Sequence, residues 1–313
     1  MIISASRRTD IPAFYSEWFM NRIRAGFLLT RNPFNYNQIS RVSLLPEDVD
    51  AIVFWTRNPT KLIPHIDELL QGGYRFYFQF TITGYPRALD TKTLNPHKAL
   101  DVFKRLAEKI GKDKVIWRYD PILLSNLLPI EEHVRLFSKL ARELEGHTHR
   151  VVISFADLYQ KTEKNLNTVD LLAYSDITQN QSLCLLLAEK LAAIAYQHGL
   201  SIFSCAEDID LVQNGIQHGK CIDESLINKL FGLQLASSKD TGQREACGCV
   251  KSIDIGVYNT CLHGCKYCYA TFNNSQANEN YKKHDPQSPF LLGKADNVDP
   301  HLLQPVIFQQ NLF

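Results

Sequence analysis

The chain has 313 residues, a formal net charge of +1, 45% hydrophobic residues and 21% charged residues. This balance is typical of a globular protein with a sizeable core. A charge this close to zero does not favour nucleic acid as a partner, although a local basic patch would still allow it. The first residues, Met1 to Arg8, lack the apolar segment of a signal peptide, and no apolar run approaches the roughly 18 residues that span a membrane. We therefore expect a cytoplasmic protein with no membrane partner.

Seven short β-rich runs alternate with helical segments along the chain. The predicted strands are Met1–Ala5, Ala51–Trp55, Arg75–Ile82, Val115–Tyr119, Arg150–Phe155, Leu200–Cys205 and Ser252–Val257. The clearest helical segments are Ala13–Ala25, Pro96–Ile110 and Thr178–Gln197, and each ends at or near a glycine. This alternation indicates βα units and a parallel sheet, and no Gly-rich phosphate fingerprint follows a strand. We predict an α/β fold, a partial or complete parallel (β/α) barrel over residues 1–270, with an extension or lid at 271–313.

Polar residues follow every predicted strand. They are Ser6, Arg7, Arg8, Thr9, Asp10, Thr56, Arg57, Asn58, Gln79, Thr81, Thr83, Arg118, Asp120, Ser154, Asp157, Tyr159, Ser204, Cys205, Glu207 and Asn259. Because the active site of a parallel barrel lies at the C-terminal ends of its strands, we expect these residues to share a polar cavity.

Five of these residues are candidates for catalysis or substrate binding. Arg7, Arg8 and Arg118 have the paired donors that bind a carboxylate or a phosphate. Asp10 and Asp120 accompany them, and ordinary ion pairs between these groups, or with Glu207, are an equally good interpretation.

Three cysteines, Cys261, Cys265 and Cys268, lie at spacings of four and three. Three thiolates bind three irons of a four-iron ([4Fe-4S]) cluster and leave the fourth iron open for chemistry. Two alternatives exist: buried cysteines on one helix face, and a zinc site, which takes four protein ligands when it is structural. Gly264 between the cysteines, with Asn259 before them, favours a loop over a helix.

Five further cysteines divide into two groups. Cys184 lies in the apolar helical run Leu183-Cys-Leu-Leu-Leu, so we interpret it as a buried small hydrophobic residue. The turn-like positions hold Cys205, Cys221, Cys247 and Cys249. Four thiols form a complete ligand set for a second [4Fe-4S] cluster or for a structural zinc ion, and spacing alone leaves both open.

The run Cys261-Leu-His-Gly-Cys265-Lys-Tyr267-Cys268 resembles the C-x3-C-x-aromatic-C signature of the radical S-adenosylmethionine (radical SAM) superfamily. That resemblance implies a cluster whose open iron is chelated by S-adenosylmethionine and an electron donor such as flavodoxin or ferredoxin. It also implies that Tyr267 lies against the adenine, whereas packing in the core is the plainer interpretation of this side chain.

Longer segments resemble an uncharacterised bacterial domain-of-unknown-function family that carries a radical-SAM-like cysteine cluster near its C-terminus. These segments are SASRRTDIPAFY (4–15), FWTRNP (54–59), CGCVKSIDIG (247–256) and HDPQSP (284–289). Trp55-Thr-Arg-Asn-Pro and Arg118-Tyr-Asp-Pro resemble, more distantly, spore photoproduct lyase and its relatives, which abstract hydrogen from nucleic acid or other substrates. A Gly-Gly-Glu motif that often holds the methionyl amino group in such enzymes is missing, and Ser6 to Asp10 are the candidates to replace it.

The order of the elements differs from that of most radical SAM enzymes, in which the cysteine loop follows the first strand. Here the loop follows the last predicted strand, so we predict a circularly permuted barrel in which the last strand lies beside the first. The sequence therefore favours a radical SAM enzyme with an unknown substrate. The alternative is a non-catalytic iron–sulfur or zinc protein that acts in redox sensing or nucleic-acid binding.

Overall fold

The structure, a computed structural model, describes residues 1–33, 35–296 and 298–304. Its strands in chain order are β1 (Ile2–Ala5), β2 (Phe27–Asn32), β3 (Asn35–Ser43), β4 (Ala51–Thr56), β5 (Phe76–Thr81), β6 (Val115–Ile122), β7 (Leu124–Ser125), β8 (Arg150–Phe155), β9 (Tyr174–Ser175), β10 (Ser201–Cys205), β11 (Gln217–Gly219) and β12 (Ile253–Asp254). Its α-helices are α1 (Ile11–Phe14), α2 (Ser16–Ala25), α3 (Ile66–Gln71), α4 (Pro96–Ile110), α5 (Ile130–Leu144), α6 (Gln160–Leu166), α7 (Gln181–Gln197), α8 (Glu224–Phe231), α9 (Asn274–Lys282) and α10 (Pro300–Leu303). Short 3-10 helices lie at Pro59–Lys61, Ile63–His65, Lys112–Lys114, Ile177–Gln179 and Val212–Asn214.

Eight strands form one central parallel sheet in the order β11-β10-β8-β6-β5-β4-β1-β12. The last strand pairs with the first, with Ile253 opposite Ile3 and Asp254 opposite Ser4. This confirms the predicted position of β12 beside β1. Among the described residues β11 and β12 are the two edges of the sheet and are not paired with each other, an arrangement compatible with a partial barrel.

The predicted strands agree with the observed ones except at the end of the chain. β8 has the predicted bounds, and five others differ by one to three residues at an end. The last strand is shorter than predicted: only Ile253–Asp254 pairs, whereas Ser252–Val257 was expected. The sequence analysis missed the three-residue strand β11 and the antiparallel hairpin of β2 and β3.

The central strands are apolar because both faces of the sheet are covered. β4 and β5 are buried along almost their whole length. Helix α4 shows how local sequence and packing agree: Asn95 caps its first turn, and Gly111 follows its last residue with φ +95°. Its Leu100, Phe103 and Leu106 are buried in the core, and each such side chain contributes roughly 1.5–3 kcal/mol by burial.

The predicted helix Ala13–Ala25 is two helices, because Tyr15 leaves helical geometry at φ −130°, ψ 24°. The Tyr15 hydroxyl donates a hydrogen bond of 2.7 Å to the carbonyl of Thr260. This contact joins the start of α2 to the residue that precedes Cys261, so the helix break ties two distant parts of the chain together.

The segment after residue 270 packs against α2 and the hairpin. The indole of Trp18 donates to the carbonyl of Ser288 (3.0 Å), and Phe290 is buried against Phe27 and Leu29 of β2. Residues 305–313 of the predicted extension or lid lie outside the described residues. Among the helices that the structure describes, none combines the length and the apolar character needed to cross a membrane.

Candidate functional site

A cavity of about 510 Å³ lies at the C-terminal ends of the central strands, within the size range of small-molecule sites. The predicted residues that line it are Ser6, Arg7, Arg8, Thr9, Asp10, Thr56, Arg57, Thr81, Arg118, Asp120, Ser154, Asp157, Tyr159 and Cys205. A cavity shared by the strand ends is therefore present, and fourteen of the twenty predicted residues line it. The residues predicted there that do not line it are Asn58, Gln79, Thr83, Ser204, Glu207 and Asn259, and its lining contains no described residue after Ala270.

The three cysteines Cys261, Cys265 and Cys268, which we call the loop thiols, follow β12 and line the cavity together. All three are free. Burial raises the pKa of both Cys261 and Cys265, so these thiols stay protonated unless a bound cation displaces the proton. The sulfur of Cys268 accepts hydrogen bonds from the backbone N–H groups of Ala270 (3.4 Å) and Thr271 (3.3 Å).

The cysteine loop docks against residues 89–92, which precede α4. Lys266 N–H donates to the carbonyl of Leu89 and Lys92 N–H to that of His263, both at 2.9 Å. At Gly264 the backbone has φ +69°, and a Cβ there would lie 2.3 Å from the Thr91 hydroxyl oxygen. Glycine is required at this position by both the backbone conformation and the close approach of Thr91.

Tyr267 lines the cavity but is only 6% exposed. Its hydroxyl donates to Asp90 Oδ1 (2.5 Å) and accepts from Arg57 Nη2 (2.6 Å), while Arg57 Nη1 pairs with Asp90 Oδ2 at 3.0 Å. Its ring also packs edge-on against Tyr85, with the centroids 5.7 Å apart. The side chain is thus both a packed core residue and part of the cavity wall. The sequence analysis missed the Arg57–Asp90 pair that fixes it.

Asp10 is fully engaged by protein groups. Its Oδ1 accepts from Ala13 N–H (2.9 Å) and the Thr56 hydroxyl (2.8 Å), and its Oδ2 accepts from Arg57 N–H (2.7 Å) and His263 Nε2 (2.7 Å). It therefore holds the loop after β1, the end of β4 and the cysteine loop in place. The sequence analysis also missed His263, although its position within the cysteine motif was a signal for it.

The other four cysteines of the cavity, Cys205, Cys221, Cys247 and Cys249, are called the wall thiols. They lie close enough to affect one another's pKa: Cys221 interacts with Cys205 and Cys249, and Cys249 with Cys247. Interaction with Cys221 lowers the pKa of both Cys205 and Cys249, whereas interaction with neighbouring thiols, together with burial, raises the pKa of Cys221 and Cys247. The fold thus brings together four thiols that lie up to 44 positions apart in the sequence.

The remaining cysteine, Cys184, is fully buried in α7 away from the cavity, as predicted for a small hydrophobic residue. Within residues 1–33, 35–296 and 298–304, no group of three or more His, Cys, Asp or Glu side chains has the arrangement that holds one metal ion. The ligands of a single ion must all lie close to one point. The thiolates of a four-iron cluster each bind a different iron and therefore stand further apart.

Arg118 and Asp120 form an ion pair on the cavity wall. Arg118 Nε donates to Asp120 Oδ1 at 2.9 Å, and Nη2 donates to Oδ2. The free side of the guanidinium is directed to the wall thiols, because Nη1 donates to Cys221 Sγ at 2.9 Å. Burial lowers the pKa of Arg118, but the pairing with Asp120 more than offsets this and holds the pKa well above its ordinary value; the side chain is only 5% exposed.

Arg7 and Arg8 differ from Arg118, because neither has a carboxylate partner among the described residues. The guanidinium of Arg7 lies 5.6 Å from the centroid of the Trp55 ring. Arg8 makes a long hydrogen bond of 3.4 Å to the carbonyl of Gly256 and lies 5.3 Å from the Tyr258 ring.

Several polar atoms on the cavity lining are buried without a hydrogen-bond partner. They are Arg7 Nη2, Thr9 Oγ1, Trp55 Nε1 and His263 Nδ1. Buried polar groups in native proteins are nearly always hydrogen-bonded, so each exception needs an explanation, such as a ligand. Arginine and the tryptophan N–H can only donate, and the Thr9 hydroxyl can donate as well as accept, so these three atoms suit a ligand that carries hydrogen-bond acceptors.

The comparisons with known proteins concern the whole chain. A search of curated proteins gives no significant match. A family model described as Domain of unknown function (DUF1848) matches residues 2–270. This agrees with the resemblance to an uncharacterised domain family, while the link to radical SAM enzymes stays a prediction. With most of its length matched, the chain belongs to the DUF1848 family.

Proposed function

We propose that this protein is a radical SAM enzyme. The observation that supports it most strongly is that the three thiols of a C-x3-C-x-aromatic-C loop line one cavity at the C-terminal ends of a parallel sheet. Barrel-type enzymes carry their active sites at this end. The cysteine spacing and the position of the loop at the cavity are independent observations, because the spacing of the three cysteines does not by itself place the loop over the strand ends.

The donor set fits a four-iron cluster with one open iron. Cys261, Cys265 and Cys268 supply three thiolates from a single loop, and His263 of the same loop is held through Nε2 by Asp10. The two backbone N–H groups directed at the sulfur of Cys268 suit a thiolate ligand, since such hydrogen bonds tune cluster potentials. When bound, the cluster and S-adenosylmethionine supply reductive carbon–sulfur cleavage, which yields methionine and a 5′-deoxyadenosyl radical.

Residues of this chain account for binding and shielding. Arg7, Thr9 and Trp55 offer unpaired donors to the acceptors of S-adenosylmethionine or of the substrate. The segment Ser6 to Asp10, which contains two of these three residues, takes the place of the missing Gly-Gly-Glu motif. Tyr267, held by Arg57 and Asp90, offers a ring face for adenine. A reactive carbon radical must be kept away from water and other hydrogen donors, and the buried side chains of Tyr267 and Arg118 line the part of the cavity that can do so.

For the wall thiols we propose a second [4Fe-4S] cluster, with a structural zinc ion as the alternative that metal analysis would reveal. Arg118 supports the cluster, because its N–H donates to the sulfur of Cys221 and hydrogen bonds of this kind stabilise anionic sulfur. Two clusters facing one cavity would allow the second to exchange electrons with the first or to bind substrate.

The proposal also includes a cellular location, an electron donor and an order of strands. All eight cysteines are free, which suits a reducing cytoplasm, and a cytoplasmic enzyme of this type would take electrons from flavodoxin or ferredoxin. The position of the cysteine loop after β12, beside β1, is what a circularly permuted, partial barrel requires.

The test is cleavage of S-adenosylmethionine by anaerobically reconstituted, dithionite-reduced protein. We expect 5′-deoxyadenosine and methionine in equal amounts, and no product from Cys261→Ala, Cys265→Ala or Cys268→Ala. The matched control is Cys184→Ala, which alters a buried cysteine outside the cavity. Protein that binds iron but releases no 5′-deoxyadenosine would instead support a non-catalytic iron–sulfur protein.

A further inference from the structure

Two cations of the cavity share one aromatic ring. Arg8 Cζ lies 5.3 Å and Lys161 Nζ 5.6 Å from the centroid of Tyr258, and all three residues line the cavity. Lys161 also lies 5.2 Å from the ring of Phe272. The two positive charges near this ring repel each other, and a nearby anion would offset that repulsion.

No protein carboxylate accompanies these two cations. Among the described residues neither Arg8 nor Lys161 forms an ion pair, whereas other cations of the lining are engaged. Arg57 pairs with Asp90, Arg118 with Asp120, and Arg244 with Asp157. The nearby Asp254 accepts from the hydroxyls of Ser4 and Ser6 and from the backbone of Arg7. The site therefore has two positive charges to offer to a ligand.

The lining as a whole also favours an anion. It contains six cationic residues, Arg7, Arg8, Arg57, Arg118, Lys161 and Arg244, but only three carboxylates, Asp10, Asp120 and Asp157. The thiols account for part of this excess, because Arg7 and Arg118 lie near the wall thiols and Arg57 near Cys265. The thiols do not account for the charges of Arg8 and Lys161, which lie against Tyr258.

We propose that the substrate of this cavity carries a phosphate monoester, bound by Arg8 and Lys161 beside Tyr258. A phosphate monoester has a charge of about −1.5 to −2 at pH 7 and three acceptor oxygens, which matches two cations better than the single charge of a carboxylate. The exposed rings of Tyr269 and Phe272 lie close to this group, Tyr269 near Tyr258 and Phe272 beside Lys161, and offer a surface on which an aromatic part of the substrate can stack. The inference rests on the proposed function only in calling this ligand the substrate.

The test is isothermal titration calorimetry with phenyl phosphate and, as a ring-matched carboxylate, benzoate. We expect wild-type protein to bind phenyl phosphate at least tenfold more tightly than benzoate, with an affinity that falls as salt rises. Arg8→Gln and Lys161→Gln should each weaken phenyl phosphate binding roughly tenfold or more, as expected for the loss of a hydrogen bond to a charged group. The matched controls Arg105→Gln and Lys164→Gln remove exposed cations outside the cavity and should change the affinity less than twofold.

Three results would overturn the inference: equal affinity for benzoate, unchanged affinity in both cavity variants, or no saturable binding of phenyl phosphate by wild-type protein at millimolar concentration. Adenosine 5′-monophosphate and a 5′-phosphorylated single-stranded oligonucleotide then distinguish two sources of the monoester. Tighter binding of the first indicates a nucleotide, and tighter binding of the second indicates the end of a nucleic acid. An oligonucleotide without the terminal phosphate that binds equally well would also overturn the monoester assignment.

The binding assay is independent of S-adenosylmethionine cleavage. Phosphate binding without cleavage would count against the proposed function alone, and cleavage without phosphate binding would count against this inference alone. Circular dichroism of Arg8→Gln and Lys161→Gln shows whether each variant is folded, and either folded variant suffices for the test.

Discussion

The loop thiols and the wall thiols face the same cavity but are held in different ways. The loop thiols come from one short segment, and burial raises the pKa of Cys261 and Cys265. The wall thiols come from three separate parts of the chain and lie beside one another, and interaction with Cys221 lowers the pKa of Cys205 and Cys249. Burial thus opposes loss of the proton from Cys261 and Cys265, whereas neighbouring thiols favour it at Cys205 and Cys249 and oppose it at Cys221 and Cys247. One cavity thus contains two thiol environments with different requirements.

The largest expected effect is the loss of iron from one set of thiols while the other set keeps its iron. Replacing Cys261, Cys265 and Cys268 together by Ala should abolish S-adenosylmethionine cleavage and leave about half of the iron, because four-iron clusters need their cysteine ligands. Replacing Cys205, Cys221, Cys247 and Cys249 by Ala should remove the other half. Iron analysis and Mössbauer spectra of both variants provide the measurement. Loss of all iron from either variant would show that the two sets form one centre, and one equivalent of zinc in wild-type protein would assign zinc to the wall thiols.

The next effect concerns the ion pair beside the wall thiols. Arg118→Met leaves the mostly buried Asp120 without its partner and should lower the free energy of unfolding by about 3–5 kcal/mol. The exposed pair of Arg135 and Glu132 is the control, and Arg135→Met should cost less than about 1 kcal/mol. Urea unfolding measures both. Similar losses for the two pairs would show that Asp120 is hydrated, and adding Asp120→Leu to Arg118→Met should restore most of the stability.

The third effect concerns the packing behind the loop thiols. The ring of Tyr85 contacts both Tyr267 and His133, each with centroids 5.7 Å apart. Burial lowers the pKa of His133 to about 4 from a model-peptide value of 6.5. The unfolded chain therefore binds more protons between pH 6.5 and 4, and stability should fall over this range as pH falls, by about 3 kcal/mol in total.

The measurement for His133 is the free energy of unfolding at pH 7.0, 5.5 and 4.5. His133→Gln keeps a donor and an acceptor but does not titrate, so it should remove this part of the pH dependence even if its stability at pH 7 is lower. An identical pH slope in wild type and His133→Gln would show that another group causes it.

The smallest expected effect comes from replacing one glycine beside each set of thiols by alanine. Gly264→Ala places a Cβ at φ +69° and 2.3 Å from the Thr91 hydroxyl oxygen, and it should cost about 2 kcal/mol while loosening the cysteine loop. At Gly248, between Cys247 and Cys249, an added Cβ would lie 3.1 Å from Cγ of the flexible Lys220 side chain and in ordinary contact, at 3.8 Å, with the carbonyl of Gly219, so Gly248→Ala should cost less than about 0.5 kcal/mol.

Gly146→Ala separates backbone strain from steric contact. Gly146 has φ +78° and nothing within 4 Å of the added Cβ, so this substitution should cost about 1 kcal/mol from backbone strain alone. Thermal melts and iron content of the three glycine variants provide the measurement. If Gly264→Ala lowers the stability no more than Gly146→Ala does, the contact with Thr91 adds nothing to the cost of the substitution.

Much of the site was predictable because its signals are local. The spacing of Cys261, Cys265 and Cys268 is visible in eight residues, and the β-rich runs identify strands whose polar ends must meet when the sheet is parallel. The hairpin of β2 and β3 was missed because most of β3 is exposed and lacks the apolar character of the central strands. The partners of Tyr267 and Asp10 were missed because they come from positions far away along the chain.

The sequence by itself determined the α/β alternation, the polar strand ends, the loop cysteine spacing and the burial of Cys184, because each depends on neighbours within a few residues. Tertiary structure alone decided that β2 and β3 form a hairpin, that Arg57 and Asp90 hold Tyr267, that Asp10 binds His263, and that Arg8 and Lys161 share Tyr258 without a carboxylate. The physical reason is that a strand pairing, an ion pair or a charge left without a partner depends on distances between segments, and chain folding sets those distances independently of residue spacing.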